Sequence, residues 1–143
     1  MDYYILITRI NLVFQIVILL LLSASFRLMK RGKFVEHGTA MLVAVILNVI
    51  SFSLVMGPSL VSLGATIRDY PLNQLSIVSL THASLGGVAL ILGIWIVASW
   101  HRQPPNQSCQ RKRKFMRLTF VLWFVALLLG ILLQMLLNGI ITL

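Results

Sequence analysis

The stretch Leu118 to Ile141 reads LTFVLWFVALLLGILLQMLLNGII and carries no ionisable side chain. At about 1.5 Å of rise per residue, a helix of this length crosses a hydrocarbon core about 30 Å thick. Directly before it stands RKRKFMR, Arg111 to Arg117, where five of seven residues are cations. A dense basic cluster set against an unbroken apolar run is the layout of a membrane segment with an anchored end. Working outward, three more apolar stretches have the same reach: about Tyr4 to Phe26, Gly38 to Gly64 and Leu75 to Trp100. The connections left between them, Arg27 to His37, Ala65 to Gln74 and His101 to Arg117, are too short for another folded domain. The expected fold is an all-α integral membrane protein, a single domain over residues 1–143 built as a bundle of four transmembrane helices.

Composition agrees. Of 143 residues, 59% are hydrophobic and only 10% charged, with a mean hydropathy of +0.96, whereas soluble chains carry roughly 25% charged residues. The net charge of +9 would point to nucleic acid if the cations were spread over a surface, but ten of the twelve lie in two connections. Arg27, Lys30, Arg31 and Lys33 occupy the first, and Arg102, Arg111, Lys112, Arg113, Lys114 and Arg117 the third. Only Arg9 and Arg68 fall on the other side. The positive-inside rule therefore places those connections in the cytoplasm and both termini outside, in the cell membrane, with the lipid bilayer and not nucleic acid as the first partner. The chain opens without the basic start of a cleaved signal peptide, so the first helix is expected to stay. Cys109 is the only cysteine, and Asp2, Glu36 and Asp69 are the only acids. Disulfide chemistry and carboxylate catalysis have nothing to work with, so no enzyme is expected.

What remains informative are polar groups inside the apolar segments, each of which costs free energy unless it faces the bundle interior or a partner. His37 opens the second helix and His101 closes the third, which puts both imidazoles near the cytoplasmic rim; they read either as interfacial histidines or as a shared ligand pair. His82 lies seven residues into the third helix, about 10 Å below the outer surface, and needs a partner. Gly86, Ala89 and Gly93 continue its face at intervals of four, three and four, a stripe with almost no bulk. Either another helix packs there or a flat cofactor such as haem b lies against it, with His37, His82 and His101 as candidate ligands and Gly86 and Gly93 as the wall.

By depth, Arg9, Asn11, Met56, Gln134 and Met135 share the outer half with His82. Arg9 either snorkels to the headgroups or faces His82, and His82 with Met56 and Met135 is a donor set for cuprous copper. In the second helix Met41, Asn48, Phe52 and Ser59 share a face, and Asn48 is expected to make an interhelical hydrogen bond. Arg9, Asn48 and Gln134 are the structural polar positions. Gly57-Pro58 marks a kink near the outer end of that helix.

The basic run, His37 with Met41 and Asn48, Thr81-His82 opening a small-residue helix, and a basic cluster leading into Thr119 and Trp123 together resemble the DUF420-type (YozB/CtaM-like) family of small four-helix membrane proteins. The similarity spans about residues 28 to 138. It implies an accessory or assembly protein associated with a haem-copper respiratory oxidase or a similar membrane complex, with His37, His82 and Trp123 at family positions. Where family members tend to carry histidine before Arg-Lys, this chain has Lys112, and a lysine ammonium cannot bind a metal without losing its proton. Two other readings stay open: a haem b electron-transfer protein similar to a minimal cytochrome b561, and a purely structural membrane subunit. Other membrane subunits, including a second copy of this chain, are the partners these readings leave in view.

Overall fold

The computed structural model describes residues 2–100 and 105–138, with side chains at 6–100 and 111–138. The elements are α1 (Asp2–Lys30), α2 (Phe34–Ser51), a π-turn (Phe52–Met56), α3 (Gly57–Asp69), α4 (Gln74–Trp100) and α5 (Pro105–Leu137). The second apolar segment is one continuous rod made of α2, the π-turn and α3. The result is four helical rods, each long and apolar enough to cross a membrane.

The rods outrun the segments read from hydropathy. The second begins at Phe34 and ends at Asp69, and the fourth begins at Pro105 instead of Leu118. The cations that looked like loop residues are helical because Lys and Arg are good helix formers and Pro105 stands at the first position, where its missing N–H costs nothing. Of the stretch 118–141, residues 139–141 lie outside the described residues.

The turns are correspondingly tight. After α1, Gly32 takes φ 75°. Its N–H donates to the Met29 carbonyl and that of Lys33 to the Leu28 carbonyl, the pair of bonds that closes a helix through a left-handed residue, which glycine adopts without steric cost. Between α3 and α4 the turn is Tyr70–Asn73, where Pro71 keeps Tyr70 out of the helical region, at φ −132° and ψ 66°. Ser76, fully buried, donates from Oγ to the Tyr70 carbonyl at 2.8 Å and ties the turn to α4.

Around the bundle, α1 packs on α2, α2 on α4, α4 on α5, and α5 back on α1; the diagonal is closed by α2 against α5. α4 and α5 are the most closely packed pair, as the small-residue face of α4 predicts. A Cβ on Gly93 would press on Val45 Cγ2 at 3.3 Å, and one on Gly86 would meet Ala126 Cβ at 3.9 Å. Neighbouring helices therefore fill the stripe at Gly93, while Gly86 and Ala89 border a space between the helices. The core runs through the middle and the basic end: Ile18 and Leu22 from α1, Met41, Ala44 and Val45 from α2, Ala89 and Val97 from α4, and Trp123 from α5. Large apolar side chains cover the outside, among them Val13, Leu20, Ile91 and Val121, which is the surface that hydrocarbon, not water, accommodates.

The Gly57-Pro58 pair produces a π-turn. Proline at 58 has no N–H for the carbonyl one turn back and crowds it. The Gly57 N–H instead reaches the Phe52 carbonyl, five residues back, which is π geometry. The widened turn moves the downstream face. Met41 and Asn48 are buried as expected and Ser51 is buried with them, while Phe52, 40% exposed, and Ser59 still border the same interior space as Asn48.

Candidate functional site

A cavity of about 150 Å³ lies between the rods in the half of the bundle away from the basic end. The π-turn contributes Phe52, Val55 and Met56 to its wall, α4 contributes Ser79, His82 and Gly86, and α5 contributes Trp123, Gly130 and Gln134. Most of the wall is apolar. No Asp or Glu lines the cavity among the described residues.

Its floor is a chain of hydrogen bonds between three rods. Gln15 of α1 donates from Nε2 to Asn48 Oδ1 at 3.0 Å and to Ser51 Oγ at 2.8 Å. Ser51 Oγ donates onward to Asn11 Oδ1 at 2.5 Å, and Trp123 Nε1 donates to Gln15 Oε1 at 3.4 Å. Gln15, Asn48 and Ser51 are all buried, and in an apolar medium this polar chain is stable because its members supply one another's partners. Asn48 thus makes the expected interhelical bond. Gln15 and Ser51 escaped the sequence reading, although a carboxamide in mid-span between Phe14 and Ile16 carries the same signal as Asn48.

His82 finds its partner in a backbone group. Its Nδ1 stands 2.8 Å from the Ala126 carbonyl. A carbonyl only accepts, so Nδ1 carries the proton, and neutral imidazole then has a bare lone pair on Nε2. That nitrogen has no hydrogen-bond partner among the described residues, while the ring lines the cavity. α5 accommodates the ring by placing glycine beside it: a Cβ on Gly130 would meet His82 Cε1 at 3.2 Å. One turn before His82, Ser79 also lines the cavity, 3% exposed, and its Oγ has no hydrogen-bond partner among the described residues. An unpaired nitrogen and an unpaired hydroxyl on one face of α4 make this the most receptive place in the bundle for a ligand.

Of the residues matched to His82 by depth, Asn11, Met56 and Gln134 line the cavity and Met135 and Arg9 do not. Met135 is 37% exposed because it follows Gln134 by one residue and so points about 100° away on the helix. The His82, Met56 and Met135 donor set is therefore not assembled. Arg9 is exposed, the position from which a guanidinium reaches outward.

His37 is not interfacial. α2 starts a turn earlier than expected and carries it inside, where it is 1% exposed. Its Nδ1 lies 2.9 Å from the Ser25 carbonyl and 2.6 Å from Ser25 Oγ, and Ser25 Oγ donates to the His37 carbonyl at 3.2 Å. The carbonyl again places the proton on Nδ1, leaving Nε2 buried without a partner among the described residues. Gly38 is demanded by the neighbour on α4, since a Cβ there would fall inside the Trp100 ring. Lys112 is buried on the same end, donating from Nζ to Ser99 Oγ at 2.5 Å and lying 5.6 Å from the Trp95 ring. His101, the expected companion of His37, lies outside the described residues, as does the side chain of Cys109.

These distances bear on haem. His37 packs at the level of Trp100, and His82 lies 18 residues away along α4, about 27 Å, so the two cannot ligate one haem. The cavity beside His82 is also below the roughly 300–1,000 Å³ of a site that encloses a drug-sized ligand. A haem enclosed beside His82 does not fit a cavity of this volume. A small ligand does, since a dry cavity of about 150 Å³ holds a molecule the size of benzene.

No family model, curated protein or solved structure matches the chain.

Proposed function

We propose that the chain is a multi-pass accessory or assembly protein of the cell membrane, non-enzymatic, with both termini outside and its basic end in the cytoplasm. Its resemblance to the DUF420-type family points to a haem-copper respiratory oxidase or a similar membrane complex as the partner, and the cavity beside His82 is the working site. The observation that carries this reading is His82 in the wall of the cavity, held through Nδ1 at the Ala126 carbonyl and with no partner for Nε2 among the described residues. A residue kept only for packing would have both ring nitrogens paired or would be apolar.

Two features support the orientation. Arg27, Lys30, Arg31 and Lys33 close the first turn, Arg111 to Lys114 and Arg117 open α5, and both groups lie at the same end of the bundle. The far end carries Arg9 and Arg68, the latter in an exposed ion pair with Asp69 at 3.6 Å.

The test is assembly. Co-purification of oxidase subunits with the tagged chain, and loss of assembled oxidase in cells carrying His82→Leu, are the expected results. Normal oxidase assembly after deletion of the gene would overturn the reading. An absorption spectrum of the detergent-purified protein is expected to lack a Soret band; a haem-loaded protein would instead revive electron transfer as its role.

A further inference from the structure

We propose that His37, Met41 and Met116 form a site for a soft monovalent metal ion, cuprous copper by its ligand chemistry. The site is separate from the His82 cavity and does not depend on the function assigned to it.

His37 and Met41 are four residues apart on α2 and share a face. Met116 comes from α5. All three line one small void of about 10 Å³, together with Gly38, Trp100 and Ile96. His37 is 1%, Met41 5% and Met116 3% exposed, so the three candidate donors are withdrawn from the surface. The His37 residue in its wall carries a buried Nε2 with no hydrogen-bond partner among the described residues.

The size suits a single small guest. A water molecule asks for two to four polar partners, and this wall offers sulfur where water would want oxygen or nitrogen. Thioethers and imidazole are donors that soft cuprous copper prefers. The second coordination sphere is already in place, because Nδ1–H is held by the Ser25 carbonyl, the arrangement that orients a ligating histidine. None of the three donors has to lose a proton, so the ion binds without proton release. The cations at this end, Lys112 among them, penalise each added positive charge, which favours a monovalent over a divalent guest.

The test is an anaerobic titration of the purified full-length protein with cuprous copper against a chromophoric chelator, followed by X-ray absorption spectroscopy of the loaded protein. One ion per chain, with nitrogen and sulfur neighbours, is expected. Met41→Leu and Met116→Leu keep the volume of the side chain and so the fold; each is expected to weaken binding at least tenfold with an unchanged melting temperature. His82→Leu and Cys109→Ser are expected to bind as the parent does. Copper binding no greater than that of protein-free micelles, binding unchanged in the Met41→Leu, Met116→Leu double variant, or binding lost in Cys109→Ser would each overturn the proposal.

Discussion

At the basic end of the bundle His37 is buried beside Trp100 and two methionines, next to a void of about 10 Å³. In the other half His82, whose proton is on the same ring nitrogen and whose partner is likewise a backbone carbonyl, faces a cavity of about 150 Å³. What differs is the second rod, which carries His37 and faces His82. α2 is a regular helix around His37 and packs tightly through Gly38, while beyond Ser51 it widens into the π-turn that Pro58 imposes, whose Phe52, Val55 and Met56 line the cavity beside His82. Two chemically equivalent histidines thus acquire different capacities from a local change in helix geometry, a role π-turns often have near functional sites.

The closed end should break first. Gly38→Ala drives a methyl group into the Trp100 ring, and overpacking of this kind costs about 2–3 kcal/mol; thermal unfolding in detergent should show the largest drop of any single substitution considered. Gln15→Leu, at the floor of the open cavity, strips partners from Asn48, Ser51 and Trp123 at once. A loss of about 1–2 kcal/mol is expected, measured by the same unfolding transition, and an unchanged stability would mean the chain of bonds does not hold the three rods.

His82→Leu removes one interhelical bond and should lower stability by about 1 kcal/mol or less, so a folded protein is available for the assembly assay. The smallest effect belongs to Ser79→Ala. Its hydroxyl has no partner to lose, and a change within about 0.5 kcal/mol is expected. A large destabilisation there would show that Ser79 is bonded and the cavity less receptive than it looks.

Much of this was legible from residues alone. Four rods follow from the apolar runs, because lipid leaves a chain no alternative to satisfying its own backbone bonds. Asn48 turned inward for the same reason, and Gly57-Pro58 announced an irregular turn. Three things were not legible. The partner of His82 is a carbonyl, which every residue possesses, so no side chain signals it. The burial of His37 depended on α2 beginning at Phe34, and helix ends blur where Lys and Arg, good helix formers, stand in for loop residues. The grouping of His37 with Met41 and Met116 required knowing which rods adjoin, since Met116 lies 75 positions beyond Met41 and hydropathy says nothing of neighbours.

The presentation of Nε2 to the cavity is best tested by ¹⁵N spectra of histidine-labelled protein in micelles, recorded for the parent and for His82→Leu so that the difference isolates His82. A neutral ring protonated on Nδ1, with a bare Nε2, is the predicted result; a proton on Nε2 would contradict it and would remove His82 as the acceptor or ligand on which the proposed function rests.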